Sequence, residues 1–316
     1  MPAGEDTRKR ARGNGIRHEG ADIELHHVAV VGAAGKMGSW FTSYFAHRGL
    51  DVSAFDINRR ILKPSDKVKI QNSLSECVKD ADFVLVCVPV QKTPQTIKEC
   101  TKSMKDGAVI AEISSVKKKT FAALKKTPVK LRPLCVHPMF GPGTSKTIET
   151  RLLLIPVRDE KLELEIANEI FKNSNLSVLT DAKEHDKAIA IVLGLTYFAN
   201  IVFAKIMSSS NISMLKQVSG TTFRLQSLIA ESILTEEPDL IIALIGENVY
   251  AKGYIDQYLK EGEALARLAT TKESVNVKAE LQKIKLSIQK RQDLQLSYKQ
   301  MYEIIHKQTK DKNNHP

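Results

Sequence analysis

The string Gly32-Ala33-Ala34-Gly35-Lys36-Met37-Gly38 follows directly on an apolar run at 28–31. A glycine-rich turn that leaves a buried strand and opens a helix commits a chain to layered α/β architecture. Gly32 permits the tight turn out of the strand. Gly35 lets backbone approach a pyrophosphate, and Gly38 lets helix and strand pack closely. The helix opening there offers unpaired N–H groups and a positive dipole end to phosphate. Residues 32–38 are therefore the expected cofactor seat.

The pattern around this string repeats. Strand-like runs at 28–31, 52–56, 68–70, 83–88, 108–113, 133–136, 152–157 and 176–179 alternate with helical segments at 36–48, 73–79, 94–104, 117–126 and 160–173. Continuous apolar runs such as 83–88 suit strands covered on both faces. The expected fold is a doubly wound, Rossmann-like parallel sheet over residues 25–181. Beyond Asp181 strand signals fade and helical spacing takes over, so 182–316 reads as a second, all-helical domain. There Leu281, Ile284 and Ile288, and likewise Tyr298, Met301 and Ile305, recur at three- and four-residue steps. Residues 1–24 are polar and basic without hydrophobic period, and read as a disordered tail.

Asp56 ends the second strand, near the spacing of a carboxylate that grips a ribose diol. It would repel a 2′-phosphate, which favours NAD; Arg59 and Arg60 keep NADP in play. The plainer reading is a turn aspartate before Asn58. Val88 and Pro89 close the fourth strand and are expected to line the adenine side.

A second string, His137-Pro138-Met139-Phe140-Gly141-Pro142-Gly143, follows another apolar run. Strand ends of such a sheet point into its crevice, so His137 is placed to accept a proton near neutral pH. The alternative is a histidine that merely caps a strand. A nucleotide seat and a titratable group on one crevice point to an enzyme.

Composition narrows the classes. The formal charge is +11, but residues 1–20 and 272–316 supply +2 and +5 of it, and no aromatic-interleaved basic groove appears. A nucleic-acid binder is not expected. No apolar stretch approaches the roughly 20 residues of a bilayer span, no apolar leader opens the chain, and no metal-ligand spacing is present. Cys77, Cys87, Cys100 and Cys135 lack paired spacing and read as free thiols. A cytoplasmic protein is expected.

In order along residues 26–260 stand GAAGKMG, Val88-Pro89-Val90, Ser115-Val116-Lys117, HPMFGP at 137–142, Glu184-His185-Asp186 and Phe223-Arg224-Leu225. This set resembles the prephenate dehydrogenase family, above all the dehydrogenase part of chorismate mutase–prephenate dehydrogenase fusions. The resemblance implies NAD-dependent oxidative decarboxylation of prephenate to 4-hydroxyphenylpyruvate, in a homodimer joined through the helical domain. Arogenate is the alternative substrate, and a non-catalytic dinucleotide sensor the alternative class.

By that resemblance His137 takes the hydroxyl proton. Ser115 bonds near the hydroxyl, His137 or the carboxamide, or else caps the following helix. Lys117 meets the dianionic substrate, or else opens the solvated run Lys117-Lys118-Lys119. Arg224 holds a substrate carboxylate. His185 is functional, or only a capping or buried polar group. Two departures stand out: Thr196-Tyr197 occupies the segment where many members carry a second histidine, leaving Tyr197 as a substrate hydrogen-bond donor, and Leu228 replaces a second arginine.

Overall fold

A computed structural model describes residues 24–58, 62–270 and 274–313. The expected tail, up to residue 23, and Arg59 and Arg60 lie outside the described residues. Eight strands form one sheet: β1 His27–Val31, β2 Asp51–Phe55, β3 Val68–Ile70, β4 Phe83–Val86, β5 Val109–Glu112, β6 Arg132–Pro138, β7 Thr150–Leu154 and β8 Ser174–Val178. Their spatial order is β3-β2-β1-β4-β5-β6-β7-β8. The chain reverses direction across the sheet between β1 and β4, which creates the crevice where such folds bind ligands.

Side-chain alternation explains how both faces are filled. Val28 and Val30 pack with Trp40, Phe41 and Phe45 of α1 (Lys36–His47) and with Ile166 and Ile170 of α5 (Glu160–Ile170). Ala29 and Val31 turn to the opposite layer. That layer holds α2 (Leu74–Val78), α3 (Thr93–Cys100) and α4 (Lys118–Lys125), through Val78, Ile97 and Leu124.

The sheet departs from the expected all-parallel form at one edge. β7 runs antiparallel to β6, pairing His137 with Leu153 and Pro138 with Leu152, and β8 is parallel to β7. This pairing carries β6 two residues past the expected end at 136. His137 is thus a strand residue, beyond the last parallel pair, Glu112 with Cys135.

The rest is helical, as expected: α6 Ala182–Ile189, α7 Thr196–Ser208, α8 Ile212–Gln217, α9 Thr221–Ile233, α10 Pro238–Ile242, α11 Ala251–Thr270, α12 Ser274–Gln289 and α13 Leu294–Asn313. Two π-helical segments interrupt the regular winding, Ala190–Leu195 between α6 and α7, and Ala243–Glu247 after α10. They meet at Gly194, where a Cβ would stand 3.0 Å from the Leu244 carbonyl oxygen.

Residues 182–208 wind as one continuous helix, long and apolar enough to cross a membrane by length and composition, its most apolar 18-residue window having a mean hydropathy of 2.0. This corrects the expectation that no stretch approaches that length. Thr196, Tyr197 and Asn200 break the apolar run in sequence without breaking the helix. Ile191, Val192, Val202 and Ile206 stand exposed along it.

Candidate active site

The glycine turn is built as the residue types demand. Gly32 has φ +86°, and a Cβ there would lie 2.5 Å from the Cys87 carbonyl oxygen and 3.0 Å from Val88 Cγ1. At Gly38 a Cβ would lie 2.0 Å from the Gly32 carbonyl oxygen. Gly35, by contrast, has nothing nearer than 3.4 Å and forms the N-cap of α1. No side chain caps that helix, and no acid stands in its first turn. Open backbone at an uncapped, acid-free helix N-terminus fits a pyrophosphate.

Asp56 braces this turn. Its Oδ2 accepts from Ala34 N at 3.0 Å and its Oδ1 from Asn58 N at 2.8 Å. The turn-aspartate alternative is therefore realised. Because a carboxylate offers about four acceptor positions, two bonds leave room for a ribose hydroxyl. Val88 packs beside Gly32, and the Val88 and Pro89 carbonyls are tied to Thr93 Oγ1 at 3.3 and 3.2 Å.

His137 is only 3% exposed. Its Nδ1 lies 2.9 Å from His185 Nε2, and His185 Nδ1 lies 2.9 Å from Asp186 Oδ1. The same Asp186 carboxylate accepts from Lys117 N at 2.8 Å and Lys118 N at 3.0 Å. Among the described residues no buried side-chain nitrogen lacks a partner. His137 Nε2 has none there, so it is the ring nitrogen that is not sealed within the protein. Burial, then the neighbouring His185 and Lys117, hold this imidazole's pKa well below the usual value. The ring is therefore neutral at neutral pH.

Beneath it sits a buried ion pair. Lys117 Nζ donates to Glu112 Oε1 and to the Val136 carbonyl, each at 2.7 Å, and both charged side chains are 0% exposed. This corrects both readings of Lys117. Its amine is neither on a solvated face nor presented to a substrate, but ties the strand that carries His137 to the end of β5. Glu112 also accepts from Ser114 N at 2.8 Å and from Cys135 Sγ at 3.2 Å. Ser115, half-buried just beyond β5, makes no side-chain hydrogen bond among the described residues. The N-cap of α4 is Lys117, with no side-chain cap, so Ser115 does not fill the capping role.

The loop after His137 is pinned to the nucleotide half. Phe140 packs on Trp40 with ring centroids 4.8 Å apart, and Trp40 Nε1 donates to the Thr144 carbonyl at 2.7 Å. Contacts from the helical half reach the segments that follow β1 and β4. Lys36 Nζ donates to the Thr235 carbonyl at 2.5 Å and lies 3.4 Å from Glu237. Gln91 Nε2 donates to Glu247 at 2.7 Å. Asn248, buried at the end of the second π segment, donates to the Asp186 carbonyl at 2.8 Å.

The two predicted residues of the helical half stand differently. Tyr197 is half-buried; burial, then the Glu236 carboxylate, raises its hydroxyl pKa. That carboxylate adjoins the Thr235 and Glu237 contacts to Lys36. Arg224 is exposed near the start of α9, and its Nε donates to Ser219 Oγ at 3.4 Å. No bond joins it to the histidine chain. Sequence reasoning missed Asp186 and Asn248 as parts of this network. The Glu184-His185-Asp186 string was visible, but its partner lies 48 residues away in sequence.

Comparison with known proteins gives a consistent result. The model of the prephenate dehydrogenase nucleotide-binding domain matches residues 47–196, and that of the prephenate dehydrogenase dimerization domain matches residues 181–283. A probable arogenate/prephenate dehydrogenase of Methanocaldococcus jannaschii is 24% identical over 258 residues, covering 78% of this chain and 57% of that protein. The T-protein of Enterobacter agglomerans is 25% identical over 251 residues, covering 78% and 63%. The chain thus spans about three-fifths of the length of these curated relatives. The crystal structure of prephenate dehydrogenase from A. aeolicus with hydroxyphenyl propionate and NAD+ superposes with a TM-score of 0.68 at 18% identity, covering 86% of this chain and all of that one. Synechocystis arogenate dehydrogenase superposes at 0.61 and 15% identity, covering 84% and 99%. Those two likenesses establish the fold.

Proposed function

Because this chain belongs to the prephenate dehydrogenase family, we propose that it oxidatively decarboxylates prephenate to 4-hydroxyphenylpyruvate with NAD. The observation that carries this reading is His137 Nε2, the partnerless nitrogen of a neutral, buried imidazole beyond the last parallel strand pair. NAD, held on residues 32–38, would supply the acceptor for the hydride of the substrate's carbinol carbon. The hydroxyl proton passes to His137 Nε2; as carbon dioxide leaves, its bonding pair completes the aromatic ring, and the ring oxygen takes the proton back from His137 Nε2. Aromatisation supplies the driving force, so the protein's share is alignment and proton removal.

Residues 32–38 hold the pyrophosphate, with Asp56 at the ribose and Val88 and Pro89 on the adenine side. Ser115, unbonded among the described residues, donates near the hydroxyl or the carboxamide. Arg224 anchors a carboxylate through its planar fork, and Tyr197 donates a hydrogen bond from the helical side. The molecule acts as a homodimer. Ile191, Val192 and Ile206 on the 182–208 helix, with Leu228 and Ile229 of α9, form an exposed apolar surface for the second copy to cover. The dimerization-domain match over residues 181–283 supports that use of the helix over a membrane span.

Absorbance of reduced nicotinamide after addition of NAD and either prephenate or arogenate tests the reading. Prephenate is expected to give the faster rise. A faster rise with arogenate reassigns the substrate, and a flat trace with both from folded protein favours a nucleotide sensor.

Two substitutions test the roles separately. Arg224→Gln is expected to lower kcat/KM for the substrate about tenfold to a hundredfold, the loss of a charged hydrogen bond, with NAD affinity unchanged in titration. An equal loss of NAD affinity would make Arg224 structural. Asp56→Ser is expected to narrow the preference for NAD over NADP in parallel assays. An unchanged ratio would place the ribose elsewhere.

A further inference from the structure

Three donors converge on the Asp186 carboxylate. Two are backbone N–H groups of Lys117 and Lys118, and the third position is filled by His185 Nδ1. Backbone N–H groups only donate, so the carboxylate oxygens accept, and His185 Nδ1 carries the proton that faces them. Burial lowers the pKa of His185, which keeps it neutral at neutral pH although the Asp186 hydrogen bond opposes the shift. A neutral imidazole with Nδ1–H has a bare Nε2. That bare nitrogen lies 2.9 Å from His137 Nδ1, so His137 must donate there. The remaining nitrogen of His137, the one not sealed within the protein, is then left without a proton.

From this we infer that His185 and Asp186 are positioning residues, which fix His137 in the tautomer whose Nε2 is bare and stabilise the charge the ring acquires. The inference rests on His137 as the proton acceptor. When Nε2 takes the substrate's hydroxyl proton, the His137 Nδ1 proton can shift along the hydrogen bond to His185 Nε2. The positive charge then lies directly against the Asp186 carboxylate. No proton is gained or lost by the chain beyond the one taken from the substrate.

The other charged groups packed on the pair are Lys117 and Glu112, already neutralised by each other at 2.7 Å. The Cys135 thiol is held neutral by burial. Asp186 is therefore the carboxylate left to answer a cation on the two rings. Asn248 holds the backbone at the same residue through the Asp186 carbonyl, which ties the relay to the packed π segments of the helical half.

The test needs the whole protein and three readouts. In wild-type protein with 15N-labelled histidine, the ring spectrum is expected to show His137 protonated at Nδ1 and bare at Nε2. The opposite tautomer overturns the inference. Asp186→Asn is expected to lower kcat roughly 10- to 100-fold, the loss of a charge-assisted bond, with KM for both substrates within about twofold.

The acid limb of its kcat–pH profile moves to lower pH, because the carboxylate favours the protonated pair. His185→Phe, a second variant that keeps the bonds to Lys117 N and Lys118 N, is expected to lower kcat with the same unchanged KM values. Wild-type kcat and an unmoved acid limb in Asp186→Asn, with wild-type kcat in His185→Phe, would reduce the pair to packing. That outcome leaves His137 as the base intact, whereas an active His137→Asn protein would remove the base itself.

Discussion

His137→Asn is expected to lose about 10²- to 10⁴-fold in kcat while NAD binds as before, the range for removal of a positioned general base. The substitution keeps a polar side chain of similar reach in the strand, so packing between β6 and β7 survives. What disappears is the bare ring nitrogen. His137 is far from the glycine turn in sequence, and its ring bonds are to His185 and not to residues 32–38, so a titration of NAD should give the wild-type dissociation constant. Stopped-flow nicotinamide absorbance reads the turnover loss. An unchanged rate would take His137 out of the mechanism.

The largest stability effect is expected at Lys117. Lys117→Met leaves the Glu112 carboxylate at 0% exposure without its cation. Breaking a buried pair on one side costs about 3–5 kcal/mol. At a few degrees per kcal/mol this lowers Tm by roughly 10 °C. The loss should also reach the site, since the same amine holds the Val136 carbonyl next to His137. Combining Lys117→Met with Glu112→Leu removes both charges and should recover most of the Tm, because apolar replacement of a whole buried pair is often neutral. Thermal unfolding by circular dichroism checks both. A single variant within about 2 °C of wild type would mean that the pair does not sustain this part of the fold.

The sheet was legible because it obeys local rules. Each of the eight strands is an apolar run or alternation short enough to be read without partners, and Gly32 and Gly38 have contacts that leave no room for a Cβ. Pairing direction was not legible. Nothing in 152–157 marks β7 as antiparallel, and that choice extends β6 through His137. Lys117 was misread for a related reason. A triple lysine suggests solvent, and only the fold shows that Glu112, five residues earlier on a buried strand end, draws the first of the three inward.

Helix was expected over 182–208, but its span-like apolar length was missed because its polar interruptions, Thr196 and Asn200, bond within the protein instead of breaking it, Thr196 Oγ1 to the Ile191 carbonyl at 3.2 Å and Asn200 Nδ2 to the Thr196 carbonyl at 2.8 Å. The histidine relay joins positions 48 residues apart. Periodicity carries no information at that separation, and the Glu184-His185-Asp186 string alone does not say which ring it serves.

The most direct test of the whole account is a crystal structure with NAD and the product 4-hydroxyphenylpyruvate bound. The account predicts the product's ring oxygen within hydrogen-bond reach of His137 Nε2, at about 2.6–3.2 Å, with the pyrophosphate on residues 32–38. A product ring bound away from His137, or an Nε2 turned into the protein, would contradict it.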